Sequence, residues 1–428
     1  MTNAAEIINL KTDPESIWSR RTSLRSLHDF ARAYLASPWA VLGVTLARTT
    51  ATVPPHITLP PLVGGRGSLN LFVAVVGASG LGKGASTAVS HTAITLGQDV
   101  PTLPIGSGEG MAKAFGHREV VDVEGQPKYW VTVIDNPAVI FESSEVDQFA
   151  AQGGRSGSTL SSQMRSAWSG EVLGATYATA EKAVTIPAHD YRLCFILGVQ
   201  PRRSGALLSE SDGGTPQRFL WLPAADPLAR DGVKAPEQMT LPKIDWPMQP
   251  MCMEVPKEAA REIRQNRIKA LKGASDVLDG HMMLTRLKTA AALAVLDGRT
   301  DVDSEDWEIS GLVMQKSATT RELCVQELRA VETEAAARRG EDRAHADAAH
   351  ESKRAELTAP ARVANKIAER LRDGEVWTRG AINRLQTSAD RKFVDEALAI
   401  LVREERAVKL SDTEYRGIAE SPTGWDAV

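Results

Sequence analysis

A chain of 428 residues is too long for one ordinary domain, and 43% hydrophobic with 24% charged residues sits near globular averages, which excludes wholesale disorder, collagen and coiled-coil classes. A formal net charge of −4 excludes nucleic-acid binding through overall basicity and leaves room only for a local basic track. Cys194, Cys252 and Cys324 are odd in number and widely spaced, so neither a disulfide framework nor a zinc site is expected, and a reducing, cytoplasmic setting fits.

The first 21 residues lack a basic flank followed by an apolar stretch and do not read as a signal peptide. Residues 14–36 place Ile17, Leu24, Leu27, Phe30, Ala31 and Leu35 on one helical face. The apolar run at 38–47 falls short of the roughly 18 to 20 residues that cross a bilayer and predicts a buried helix, so no membrane association is expected. Together these form an N-terminal helical segment, residues 1–60. Within residues 50–68, Pro54, Pro55, Pro60 and Pro61 lead to Gly64-Gly-Arg-Gly67, the composition of an extended connector.

Leu69-Asn-Leu-Phe-Val-Ala-Val-Val76 is a nearly continuous apolar run, as in a parallel strand buried on both faces. Further strands are expected at 129–134, 138–141, 191–199 and 219–222 with helical material between, giving an α/β core over residues 61–230. After a proline-rich stretch the chain turns helical. Residues 258–272 are amphipathic; 281–296 are more apolar and stop at Asp297-Gly298; 319–356 are charged on most faces, as in a solvated helix or linker. Residues 231–357 therefore form a helical lid and linker, and 358–428 a last domain.

Immediately after the first core strand, Gly77-Ala78-Ser79-Gly80-Leu81-Gly82-Lys83-Gly84 fits G-x-x-x-x-G-K in a strand–loop–helix setting, with Ala85 and Ser86 continuing into the helix. Glycines let backbone N–H groups close on a phosphate, Lys83 brings a point charge, and the helix directs its positive end at the same place, so a nucleotide such as ATP is the expected ligand. The Ser or Thr that usually follows the lysine and binds Mg2+ is here Gly84; Ser86 or Thr87 would replace it only with altered geometry. An acid at the end of a second strand must polarise the attacking water. Two stretches compete: Val131-Thr-Val-Ile-Asp135, and Val139-Ile-Phe-Glu-Ser-Ser-Glu-Val-Asp147. The second is preferred, with Glu145 as the catalytic acid and Asp147, beside Ser86, as a metal ligand, although Ser144 stands where the metal-holding aspartate is expected. Gln200-Pro201 places an amide at the end of the next strand, and Arg218 precedes the last one, where an arginine finger reaching across a subunit boundary is one role and a surface ion pair the plain alternative.

This ordered series, Gly77 to Gly84, Glu145 to Asp147, Gln200-Pro201 and Arg218-Phe219, resembles the AAA+ ATPases, in particular the minichromosome-maintenance helicases. The resemblance implies a P-loop core, a helical lid in which Arg286 is a second sensor, Gln200 as first sensor, and a ring, as a homo-hexamer, whose ATP sites lie between subunits. Glu145-Val-Asp-Gln-Phe-Ala-Ala151, Ser158-Thr-Leu-Ser-Ser162, Gly198-Val-Gln-Pro201 and Gly213-Gly-Thr-Pro-Gln-Arg-Phe219 are similar to helicase-like replication proteins of actinobacterial plasmids, phages and integrative elements, over roughly residues 40–325. That group is often linked to primase-polymerase modules, which makes a primase or initiator an expected partner.

In a ring-shaped helicase the insertions between catalytic acid and first sensor line the channel. Arg155, Arg165 and Lys182 would then meet DNA phosphates, with ordinary surface loops as the alternative. The final 70 residues read as a winged helix: helices at 361–371, 377–384 and 391–401, then a hairpin around Ser411-Asp-Thr-Glu. In a DNA-binding version Arg391 and Lys392 begin the recognition helix while Lys409 and Arg416 lie on the wing; the acids Asp390, Asp395, Glu396, Glu404 and Glu405 offset them, and protein contact is the other use of such a module.

Overall fold

The computed structural model describes residues 13–124, 127–147, 159–174, 183–209, 213–273, 279–371 and 374–418. The chain divides into two compact units, Met1–Val331 and Glu332–Val428. The expected N-terminal segment, α/β core and helical lid thus belong to one unit, and the expected boundary at 358 lies nearer 332.

The first unit is mixed α/β and is built on a five-stranded parallel sheet of β1 (Phe72–Val76), β2 (Thr102–Pro104), β3 (Ala138–Ser143), β4 (Arg192–Val199) and β5 (Phe219–Pro223), in the order β5-β1-β4-β3-β2. Every residue of β1 and β4 is buried, which is why both are apolar without alternation. Pairing runs from Phe195 opposite Phe72 to Val199 opposite Val76, and from Arg192 opposite Ala138 to Leu197 opposite Ser143. The stretch at 129–134 is not in this sheet: Tyr129–Ile134 pairs antiparallel with Gly116–Val121 in a separate hairpin. Three-residue β2 takes the sheet-edge place instead.

One face of the sheet is covered by α1 (Thr22–Ala33), α2 (Pro38–Ala51) and α3 (Lys83–Ala93), whose Leu24, Phe30, Trp39, Leu46 and Val89 share a core with Val73, Val75, Ile140, Ile196 and Leu220. The other face carries α4 (Leu160–Ser169), where Met164 and Trp168 pack with Phe72, Phe141 and Phe195. α1 and α2 contribute to the same core as the sheet, whereas α6 (Asp279–Leu296) is shared: Met282, Leu293 and Leu296 join that core, while Met283, Leu287 and Val295 form a second one with Ile263, Trp307 and the connector's Ile57 and Leu59. Arg21 of the N-terminal segment is bound to Asp297, Asp303, Glu305 and Asp306, closing the unit.

Buried cations organise the amino-terminal edge of the sheet. Arg192, fully buried, donates to the carbonyls of Val53, Pro54 and Ile57 and to Ser68 and Asn70, so the proline connector is held through its own backbone oxygens. Lys288 of α6 donates to the carbonyls of Asn70 and Trp168 and lies 3.7 Å from the centre of the Trp168 ring.

Residues 274–278, between α5 (Lys257–Leu271) and α6, lie outside the described residues; α7 runs from Ser304 to Leu371 and is the solvated helix expected at 319–356. The second unit takes the end of α7, with Val363, Ala364, Ile367 and Leu371 in its core, then α8 (Arg379–Arg384) and α9 (Val394–Arg403). Its antiparallel sheet has three strands, β6 (Val376–Thr378), β7 (Ala407–Lys409) and β8 (Glu414–Gly417), in the order β6-β8-β7. The expected helices and hairpin are present, with β6 as an additional strand and α9 beginning after a 3-10 turn at Arg391–Phe393.

Candidate functional site

The sheet changes direction at β1: β4, β3 and β2 follow on one side and β5 on the other. Ligands of open parallel sheets bind at the carboxyl edge of such a switch point, and the loop that leaves β1 there is Gly77 to Gly82. Its start is fixed by the Gly77 N–H, which donates to the Val199 carbonyl at the end of β4 (2.9 Å). Gly80 and Gly82 have φ of +80° and +81°, in the left-handed region where side chains are strained, and this turns the chain sharply into α3. Ala78, Ser79, Gly80 and Leu81 are exposed, and no acidic residue occupies the first turn of α3, so the positive end of the helix is open to an anion.

Lys83 is the first residue of α3. Its ammonium folds back onto the loop, donating to the carbonyls of Gly77 (2.9 Å) and Ala78 (3.0 Å). Partial burial lowers its pKa from the ordinary lysine value, and the charge of Glu145 acts against that shift. Glu145 is exposed just beyond the end of β3, and its backbone is tied to Ser143, whose hydroxyl donates to the Glu145 carbonyl (2.8 Å). Asp135, the competing acid, ends the separate hairpin and pairs with His117 (2.8 Å). Gln200 follows β4 and precedes the turn Pro201–Arg203. Since β4 lies between β1 and β3, the structure brings Lys83, Gln200 and Glu145 to neighbouring positions on one edge.

Other expected site residues do not join them. Asp147 is ion-paired with Arg203, so its carboxylate is already neutralised. The Ser86 hydroxyl is buried and donates to the Gly82 carbonyl (3.1 Å) inside the helix. Ala85 is exposed on the first turn, and a side chain at Gly84 would meet no atom within 4 Å. The described residues hold no group of three His, Cys, Asp or Glu placed to bind a metal ion.

Arg218 is not presented to a neighbour: it is only 7% exposed. Its Nη1 donates to the Gly213 carbonyl (2.6 Å), its guanidinium lies 5.2 Å from the Trp168 ring centre, and its buried Nε has no partner among the described residues. Burial, with Arg165 nearby, pulls its pKa down to about 10. It also lies before β5, at the sheet edge opposite Lys83. Arg165 sits on α4 beside Gly213, half-buried rather than on a channel loop. Arg155 and Lys182 lie outside the described residues. Arg286, the expected second sensor, is 5% exposed, stacked 3.7 Å over Trp307 and paired with Glu262 (2.9 Å), while its buried Nε has no hydrogen-bond partner among the described residues.

One polar cluster escaped the sequence reading. Glu142, in β3, is half-buried; burial raises its pKa, while Thr87 of α3 and the Arg48 charge act the other way. Arg48 of α2, 6% exposed, donates to the Ser90 carbonyl (2.7 Å), and Thr45 bonds the Ser90 hydroxyl (2.9 Å), so α2 and α3 are joined by polar contacts inside an apolar core. An acid next to the end of an apolar strand is the only sequence signal at this place.

In the second unit, Arg391 and Lys392 are exposed on the turn before α9, with Arg391 Nε donating to the Gln386 carbonyl (3.3 Å) and Lys392 4.7 Å from the Phe393 ring. Lys409 and Arg416 lie on the two strands of the expected hairpin. Lys409 is directly opposite Tyr415, so it shares the core-facing side of the sheet and projects from its edge, whereas Arg416 pairs with Val376 and Val408 on the other side. Lys409 is also paired with Asp412 (2.8 Å). No family model and no curated protein matches this chain.

Proposed function

We propose that the chain is an ATP-driven replicative DNA helicase or translocase of a mobile element, a P-loop AAA+ core with a helical lid and a C-terminal winged helix, working as a homo-hexameric ring. The observation that carries this reading is the convergence of Lys83, Gln200 and Glu145 at the carboxyl edge of β1, β4 and β3. On ATP binding, the Lys83 ammonium exchanges two neutral carbonyl partners for phosphate oxygens, a stronger charge-assisted contact. Glu145, exposed and close enough for its charge to reach Lys83, is the group to take a proton from water attacking the terminal phosphate. Gln200 lies between them, where an amide can hold that water or sense the phosphate.

A second reading, an ATP-dependent DNA-binding initiator or regulator that hydrolyses little, is favoured by the missing side chain at Gly84, the pairing of Asp147 with Arg203 and the burial of Arg218 and Arg286. ATP turnover with and without single-stranded DNA, together with strand displacement on a forked substrate and solution mass with and without nucleotide, separates the two. DNA-stimulated turnover with unwinding supports the motor. Nucleotide-dependent assembly without unwinding supports the initiator, and wild-type turnover in Lys83→Ala removes the nucleotide site from this loop.

A further inference from the structure

Two buried guanidinium groups show how this fold meets such a charge. Arg192 gives all of its nitrogens to carbonyl and side-chain oxygens, and Arg286 combines Glu262 with the Trp307 ring. Arg48 of α2 is met by neither means among the described residues. It is 6% exposed and spends one nitrogen, Nη1, which donates to the Ser90 carbonyl (2.7 Å) and hydroxyl (3.3 Å) near the end of α3. Its Nε and Nη2 make no hydrogen bond among the described residues, yet they are not closed off inside the protein as the Nε atoms of Arg218 and Arg286 are. A buried charge held in this way is costly until an oppositely charged or polar group meets it.

Arg48 lines a cavity of about 430 Å³, a volume suited to a small molecule. Ile94 and Ile140 give the cavity a buried apolar wall, and Thr95, Gln98 and Asp99 give it an exposed polar rim. The rim is tied to the chain just past α2, where Gln98 Nε2 donates to the Thr52 carbonyl (2.9 Å). His91, also in the lining, lies eight residues along α3 from Lys83, about 12 Å of helix, so the cavity shares no residue with the phosphate loop. Glu142 bears on Arg48 through its charge, but it makes no ion pair with Arg48 and burial disfavours its ionised form. We propose that this cavity binds a small organic oxyanion, a carboxylate or a phosphate ester with an apolar body, whose oxygens take Nε and Nη2 of Arg48 as a fork while its carbon skeleton lies against Ile94 and Ile140. The exposed carboxylate of Asp99 on the rim favours a hydroxyl or amino group at the outer end of that ligand. No residue of the nucleotide site takes part, so the proposal is independent of that reading.

The test is NMR of the full chain with isotope-labelled histidine rings, reading the His91 resonance, assigned by its loss in His91→Gln, during titration with benzoate, phenyl phosphate and the uncharged benzyl alcohol. A saturable shift at millimolar concentration is expected from at least one oxyanion and none from benzyl alcohol. A response to benzoate alone supports the proposal with a carboxylate ligand, and a response to phenyl phosphate alone supports it with a phosphate ester. Arg48→Lys keeps the charge and loses the fork, and should weaken binding by about tenfold or more. Thr102→Trp changes an exposed lining residue on the edge strand β2 and fills the cavity while leaving Arg48 in place; it should abolish the shift, and it decides the matter if Arg48→Lys does not fold. Lys83→Ala should leave the titrations unchanged. No saturable shift in folded wild type from either oxyanion up to about 20 mM overturns the proposal. So does an equal response to benzyl alcohol, undiminished binding in either folded variant, or loss of the shift in Lys83→Ala, which would place the ligand in the phosphate loop.

Discussion

The Arg286 guanidinium lies 3.7 Å above the centre of the Trp307 ring while its Nη1 holds Glu262 and its Nη2 donates to the Trp307 carbonyl. Trp307 Nε1 completes the arrangement by donating to the other oxygen of Glu262 (2.9 Å), so α5, α6 and α7 meet at one arginine. Removing it in Arg286→Ala takes away the stacking, an ion pair and packing. With Glu262 partly exposed and able to rehydrate, the expected loss is about 2 kcal/mol. Urea unfolding of the variant measures it. AMP-PNP affinity at a temperature where the variant is folded should stay within about twofold of wild type; a tenfold loss there would return Arg286 to the nucleotide.

Lys83→Ala makes the opposite pattern. The side chain is half-buried and donates to two loop carbonyls, so unfolding free energy should change by less than about 0.5 kcal/mol. A hydrogen bond to a charged group contributes about 1.5–3 kcal/mol, so nucleotide affinity should fall about 10- to 100-fold. Titration of both proteins with AMP-PNP reads the contrast, and an unchanged affinity would place the phosphates elsewhere.

These two residues also mark what the sequence made legible. The loop around Lys83 is read locally: a run of apolar residues buried on both faces, then glycines at the two positions where φ is positive, then a helix. Arg286 has no such local signature, because its partners Glu262 and Trp307 lie 24 and 21 residues away and come from other helices. Arg218 is hidden in the same manner by Trp168. The run at Tyr129–Ile134 has the β-branched and aromatic composition of a buried core strand; that composition serves equally in a two-stranded hairpin with an exposed face. Conversely β2, three residues at the sheet edge, is too short to leave a period.

Gly198 sits where β4 passes the acid loop, and a Cβ there would lie 2.0 Å from the Ser144 carbonyl oxygen. Gly198→Ala therefore forces β4 and the end of β3 apart. The expected cost is about 1–3 kcal/mol, as in other overpacked interiors, and the displacement moves Glu145 relative to Lys83. Thermal unfolding should show the destabilisation, and nucleotide affinity and turnover should both fall, since the loop of Lys83 is anchored to the same strand through the Gly77 N–H and the Val199 carbonyl.

His281 gives a pH dependence. Burial, with the nearby charges of Arg218 and Lys288, lowers its pKa to about 4. It is therefore neutral in the folded protein and more readily protonated once unfolded, where the value is about 6.5. Its contribution is fully present above pH 6.5 and is lost as pH falls toward 4. Because the ring is only partly buried, about 1–2 kcal/mol of the pH-dependent stability belongs to it after allowance for solvent screening. Urea unfolding at pH 7 and pH 4.5 should show a smaller difference for His281→Phe than for wild type; an equal difference would assign the acid sensitivity to other groups.

The second unit offers a choice between its basic positions. If α9 and the turn before it meet DNA, Arg391 and Lys392 are on the approaching side, and each neutralised phosphate contributes about 0.9 to the slope of log affinity against log salt concentration. Arg391→Ala with Lys392→Ala should reduce that slope by about 2 and weaken binding without changing sequence preference. Lys409→Ala should leave the slope unchanged, because Lys409 is paired with Asp412 and lies on the opposite side of the sheet from Arg416. Fluorescence anisotropy of labelled duplex across a salt series measures all three proteins. A flat slope for the wild type would instead make this unit a protein-contact module, a use consistent with the internal clamps from Arg379 to Asp395 and from Arg362 and Lys366 to Asp390 that already consume much of its charge.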